Sequence, residues 1–296
     1  MLSLQRRAEN CWGWLFITPT IAGLIVLNII PIFQTLWQSF FKVGDFGRGN
    51  IFVGLQNYRA LLKDPQIWQA LINTFGYAVI EVPFSISFAL VFAIMLNRDI
   101  RGRAVFRTIF FLPMVAAPAA VAMVWRWLYN GNFGLINYLV SRVGIPTVNW
   151  ISASEGVVPS IAVVGIWSCL GYNIVLFLAG LQEIPKDYFE AAEIDGAGLI
   201  RQQLIITLPL LSPTMYFVGV TRTIAAMQVF DLIFMMLDRN NPALPKTQSL
   251  VYLFYKYSFV ENNKGYGATI VMLLLVIIMG LTIIQQYAQK KWVHYG

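Results

Sequence analysis

Apolar side chains fall into six long stretches along the chain, at about residues 14–37, 71–96, 108–128, 157–181, 204–236 and 268–287. Each reaches the roughly 20 residues that cross a hydrocarbon core of about 30 Å as a helix. Strands in an open sheet would leave backbone N–H and C=O groups unpaired in lipid, so the pattern predicts six membrane-spanning helices. The fifth stretch is the longest, and Pro209 and Pro213 stand near its start. A proline lacks the amide donor and crowds the preceding turn, so the first turns of that stretch are expected at or below the interface. Residues 1–296 read as a single all-α transmembrane domain, with no internal repeat and no low-complexity tract.

Composition strengthens this picture. Charged residues make up 12% of the 296, about half the roughly 25% of a soluble domain. Apolar residues reach 58% and the mean hydropathy is +0.65. Aromatics at 15%, nine Trp among them, suit helix ends at the headgroup level. The net charge of +7 comes from basic residues scattered between apolar runs, which speaks for a membrane surface and against nucleic acid.

Cys11 and Cys169 cannot build a disulfide framework, and His294 has no second histidine with which to share a metal. A Ser-His-Asp enzyme is disfavoured on the same grounds. Arg6 and Arg7 precede an apolar run too long for the 7–15 residues of a signal-peptide core, so no cleavable signal is expected.

An even number of spans puts both termini on one side. Basic residues divide evenly between the two sides, but Arg98, Arg101, Arg103 and Arg107 crowd a short loop directly between two spans. Such loops set orientation, which predicts cytoplasmic termini. The three outer loops carry Asn57-Tyr58, Asp64-Pro65 and Asn149-Trp150, and are expected to form small ordered caps.

Between the fourth and fifth stretches, residues 182–209 contain a punctuated polar segment. Pro185 suits the first turn of a helix, and Asp187, Glu190 and Glu193 favour its positive end. Gly196 and Gly198 stop that helix and permit a tight reversal, after which a second short helix runs to Pro209. Ala191, Ala192, Gly196 and Ala197 are small enough to let another surface approach. The plainer reading is a connector whose glycines only make a turn.

The order Glu190-Ala191-Ala192, three residues, Gly196, nine residues, Ile206, one residue, Leu208-Pro209 resembles the EAA motif of permease subunits in ATP-binding-cassette (ABC) importers. The resemblance extends to Phe52 through Tyr58, Asp64-Pro65, Trp68, Asn73-Thr74, Gly134 through Asn137, Asn149-Trp150, Trp167, Tyr172-Asn173 and Ala179 through Gln182. These segments are similar to the carbohydrate and glycerol-3-phosphate subfamily. The resemblance implies the type I importer permease fold, six transmembrane helices with a cytoplasmic coupling-helix loop at 182–209. It implies a multi-pass, non-catalytic subunit of the bacterial inner (plasma) membrane that forms a pathway with a second homologous permease. The solute is then a sugar, an oligosaccharide, or a related polyol or glycerol phosphate, delivered by an extracytoplasmic solute-binding protein. Two ATPase subunits are implied to dock at Glu190, Ala191, Ala192, Asp195, Gly196 and Ala197. This chain has no G-x-x-x-x-G-K-[ST] phosphate loop, so no cofactor is expected on it; ATP and Mg belong to the partner ATPase.

Charges at bilayer depth are costly and are commonly paired or functional. Glu81 lies roughly 15 Å into its span and Arg222 roughly 20 Å inward from Leu208, at 1.5 Å of rise per residue. A structural ion pair, an Arg222 that reaches the interface, and binding of an anionic or hydroxyl-rich solute by Arg222 all remain open. Gln228 and Asp231 are expected on one face of a continuous fifth helix, nearly opposite Arg222, so that both faces cannot line one pathway. Asn173 and Tyr172 complete the pathway candidates. An ion-coupled secondary carrier would instead use Glu81 and Arg222 as a relay and work without ATP. A membrane enzyme finds no catalytic cluster.

Overall fold

The computed structural model describes residues 2–43, 50–98, 101–152 and 156–293, with side chains from Trp12 onward except that of Val43. His294 and Arg48, and the side chains of Arg6, Arg7 and Cys11, lie outside the described residues. The chain divides into two compact units, Met1–Asp64 with Phe254–Leu273, and Pro65–Leu253 with Leu274–Gly296.

In the first unit, helix α1 (Leu2–Leu24) passes through a π-helical turn (Ile25–Ile29) into α2 (Ile30–Gln38). Its window Trp12–Gln38 is apolar enough to span a membrane and buries nothing of itself. Strands β1 (Phe41–Val43) and β2 (Asn50–Phe52) then pair antiparallel, with Phe41 opposite Phe52. Helix α3 (Gln56–Lys63) fastens this cap. The buried Asn57 amide donates to the carbonyls of Ser39 at 2.8 Å and Phe41 at 2.9 Å, and the hydroxyls of Tyr58 and Ser39 are 2.7 Å apart. Asp64 accepts from the hydroxyls of Tyr266 at 2.8 Å and Tyr257 at 3.3 Å. Burial, with the carboxylates of Asp64 and Glu261, pushes the Tyr257 phenol from 10.0 up to about 12. Folding therefore favours the neutral phenol. Its contribution is full below the unfolded value and fades as pH rises toward about 12, so titration across neutral pH should leave this cap intact.

The second unit holds helices α4 (Pro65–Asn97) and α8 (Val157–Gln182), both long and apolar enough to cross a membrane. The third and fifth apolar stretches, expected as single helices, are broken. Helices α5 (Arg103–Val115) and α6 (Pro118–Leu128) meet at a 102° bend. Pro118 bars its predecessor from the helical region, and Ala117 is extended at φ −60°, ψ 135°. The fifth stretch enters through α10 (Leu199–Gln202), a π-helical turn (Gln203–Thr207) and α11 (Leu208–Leu210), then bends 66° into α12 (Ser212–Met227). It does not run on to residue 236. The backbone leaves the helix at Gln228 and Phe230 and resumes as α13 (Asp231–Met236). No proline or glycine causes this stop. The buried Ser249 hydroxyl donates to the Val229 carbonyl at 2.6 Å, capturing an acceptor the helix would otherwise have used.

The remaining segments between the spans are pinned by amides from the motif positions. Asn73 donates to the carbonyls of Lys246 at 2.8 Å and Gln248 at 3.0 Å. Asn137, on α7 (Leu135–Arg142), donates to Gly131 and Val148 carbonyls and accepts from the Trp150 indole at 2.9 Å. Past α14 (Leu250–Tyr255), α15 (Lys264–Trp292) supplies the last span.

Helix α8 is the axis of the second unit, packed against α4, α5 and α12. Gly171 lets α5 come close, since a Cβ there would overlap the Phe110 carbonyl. Gly171→Val is expected to part these helices and lower the stability of the purified protein by about 1–3 kcal/mol. Thermal denaturation in detergent checks this; an unshifted transition would show that α5 gives way freely.

Candidate functional site

The polar segment between the fourth and fifth spans folds as a short helix closed by a glycine. Helix α9 (Asp187–Ile194) has Asp187 and Glu190 in its first turn, where the exposed amides favour negative charge. Pro185 stands just ahead of the helix and not in its first turn. At the other end Gly196 adopts φ +75°, and two reversed bonds close the helix: Gly196 N–H to the Glu193 carbonyl at 3.0 Å, and Ala197 N–H to the Ala192 carbonyl at 2.8 Å. This is a Schellman closure, in which a Cβ at the left-handed position is penalised. Gly198 differs from expectation, because its φ of −66° needs no glycine. The buried Gln202 side chain donates to the Ala197 carbonyl at 3.1 Å and holds the turn against α10.

All six predicted docking positions therefore sit on one helix and its turn. Glu190, Ala191, Asp195 and Gly196 are exposed, while Ala192 and Ala197 are half-buried. Beside them lies a groove of about 190 Å³ lined by Ala192, Asp195, Ala197, Arg201 and Ile205. Ile194, the last residue of α9, is 87% exposed and Ile200, on α10, 78%, and sequence reasoning passed over both. Their signal was present: large apolar residues in a polar segment with no core of its own to fill.

The second constellation lies inside the apolar spans. Glu81 on α4 is fully buried. Arg222 on α12 donates to its Oε1, and the Cys169 thiol on α8 donates to the same oxygen at 3.2 Å. The pairing that the sequence left open is therefore made. Gly165 permits it, since a Cβ there would overlap the Tyr77 hydroxyl and stand 3.4 Å from Glu81 Cγ. Glu81 Oε2, Asn173 Oδ1 and Arg222 Nε are buried without a hydrogen-bond partner among the described residues.

Beside this pair opens a cavity of about 360 Å³, whose polar lining comprises Tyr77, Ser168, Cys169, Tyr172, Arg222 and Asp231. Its remaining wall includes Pro113 near the end of α5, and Ala116 and Pro118 at the bend between α5 and α6. Arg222 and Asp231 thus share one cavity, contrary to the expectation of opposite faces. The 100° rule assumed a continuous helix, and the break at Gln228–Phe230 turns Asp231 back toward Arg222. Gln228 and Asp231 do not lie on one helical face, and Gln228 is exposed outside this cavity. Asn173 is fully buried, its amide 3.7 Å from Cys169 Sγ one turn back on α8, whereas Tyr172 lines the cavity.

A tyrosine pair, a hydroxyl, a guanidinium and a carboxylate around one space suit a hydroxyl-rich or anionic small molecule. Residues 65–294 match the family described as binding-protein-dependent transport system inner membrane component. The trehalose/maltose transport system permease protein MalF of Thermococcus litoralis is 33% identical over 96% of this chain and 95% of its own length. The sn-glycerol-3-phosphate transport system permease protein UgpA of Agrobacterium fabrum is 34% identical, covering 96% of each chain. A bacterial alginate ABC transporter, solved in complex with an alginate pentasaccharide-bound periplasmic protein, superposes with a TM-score of 0.85 over 99% of this chain and 98% of its own. At 18% identity that likeness speaks for the fold.

Proposed function

Because the chain belongs to the family of inner membrane components of binding-protein-dependent transport systems, we propose that this ABC importer permease works as one half of a heteromeric pathway. A second homologous permease supplies the other half, a solute-binding protein delivers the solute from outside, and two ATPase subunits dock on α9. The observation that carries this reading is the exposed, glycine-closed helix α9 with Ile194 and Ile200 beside it. ATP-driven closure of the ATPase pair would displace that rigid helix, and the displacement would rotate the spans against the partner and exchange access between the two sides. This chain holds no phosphate loop, so its role in the cycle is mechanical and not catalytic.

For the solute, the reading is a sugar, an oligosaccharide or a related polyol or glycerol phosphate. Relatives named for trehalose/maltose and sn-glycerol-3-phosphate support it, as does the lining of Tyr77, Ser168, Tyr172, Arg222 and Asp231. Both termini, the loop bearing Arg101 and the loop bearing α9 are read as cytoplasmic. A single cysteine at Arg101 should then be labelled only from the cytoplasm and one at Lys63 only from outside. The opposite labelling would invert the topology and remove α9 from the ATPase.

Affinity purification of the tagged chain from its native membrane tests the assembly. The expected result is recovery of an ATPase and a second permease in stoichiometric amount. A chain that comes alone, with uptake independent of ATP, would favour the ion-coupled carrier that uses Glu81 and Arg222.

A further inference from the structure

Helices α5 and α8 touch at Gly171, against the Phe110 carbonyl. Toward the start of α5 and the end of α8 they leave a cavity of about 250 Å³. Its polar groups, Arg107 and Gln182, stand together at that end, and its other walls are Phe110, Phe111, Ile174 and Leu178. Ile174 lies eight residues before Gln182, about 12 Å deeper into the span. The cavity is therefore amphipathic along the helix axes, with a cation at the helix ends and an apolar slot behind it.

Arg107 is the feature that asks for a ligand. It is half-buried, and its Nε is buried without a hydrogen-bond partner among the described residues. Among the described residues the cavity lining contains no carboxylate. Glu183 follows Gln182 but is exposed and outside that lining. The adjoining loop adds Arg98, Arg101 and Arg103 against a single acidic residue, Asp99. A guanidinium partly withdrawn from water, its Nε without an acceptor among the described residues, is stabilised by an anion with several oxygens. We propose that this cleft holds an anionic phospholipid, its phosphate on Arg107 with Gln182 donating beside it and an acyl chain along Phe110, Phe111 and Ile174. A basic pocket between spans at the headgroup level fits such a lipid, and the apolar slot gives no purchase to a free anion. The site is separate from both the solute cavity and α9, so it stands whatever the solute is.

The test uses the complete transporter in nanodiscs of phosphatidylcholine and phosphatidylglycerol, with the phosphatidylglycerol retained after detergent exchange counted by native mass spectrometry. Arg107→Gln removes the charge and keeps the shape. Ala179→Leu adds bulk at an exposed position beside the cleft and keeps the charge. Both should lower retention about fivefold, while Arg101→Gln, an equal charge change outside the cleft, should stay within about twofold of wild type. Unchanged retention in Arg107→Gln or in Ala179→Leu would overturn the proposal. So would an equal loss in Arg101→Gln, because retention would then follow loop charge alone. Inorganic phosphate that binds in lipid-free detergent, and is lost in Arg107→Gln, would replace the lipid by a free anion and overturn it as well.

Discussion

Gly196→Asp should insert into the membrane normally yet lose ATPase association and transport together. The substitution lies on an exposed turn with nothing within 4 Å of the added Cβ, so the spans are not disturbed. Its φ of +75° penalises a side chain by about 1–2 kcal/mol, and aspartate tolerates that region better than most residues. The turn should therefore persist. What changes is the surface, where a carboxylate is set beside Ala192, Ala197 and Ile194 at the proposed contact. Burying that charge without a partner costs several kcal/mol, enough to reduce complex recovery more than a hundredfold. Glu190→Ala should be mild by comparison, because an exposed ion pair at a rim contributes at most about 1 kcal/mol. Pull-down of the ATPase with each variant, alongside uptake in cells, reads both effects. A Gly196→Asp protein that assembles and transports would remove α9 from the docking surface.

Removing Glu81 should have the largest effect on stability. The carboxylate is fully buried and holds Arg222, whose side chain is 16% exposed. Glu81→Ala leaves that guanidinium without a counter-charge, a loss of about 3–5 kcal/mol for a buried pair. Replacing both residues by Gln removes both charges at once, and stability should largely return. Transport should not return, because Arg222 also lines the cavity and its guanidinium charge is then gone. Denaturation of the purified complex and uptake of solute separate the two roles. A double variant that regains both would confine the pair to holding α4 and α12 together.

The contrast between the two sites shows what a sequence reveals and why. Helix α9 and its turn were legible because the signals are local: acidic residues in a first turn, then Gly196 at a helix end. The spans α4, α8 and α15 were legible because hydropathy tracks length in lipid. The bend between α5 and α6 was hidden, since Ala116, Ala117 and Pro118 count as apolar in a hydropathy reading; Pro118 was the overlooked cue. The break after Met227 carried another cue, because residues 204–236 as one helix would measure nearly 50 Å against a core of about 30 Å. Its position was not readable, for it depends on Ser249, twenty residues from Val229 in sequence. The cavity beside Glu81 and Arg222 was illegible for the same reason. Glu81 and Arg222 are 141 residues apart, and Asp231 reaches their space only through the broken helix.

The central claim is that this chain is half of a pathway driven from outside itself through α9. Solute accumulation in sealed proteoliposomes tests it most directly, comparing this chain alone with the full set of partner permease, ATPases and binding protein. The account predicts uptake only with the full set and only with ATP. Accumulation by this chain alone, with or without ATP, would contradict it.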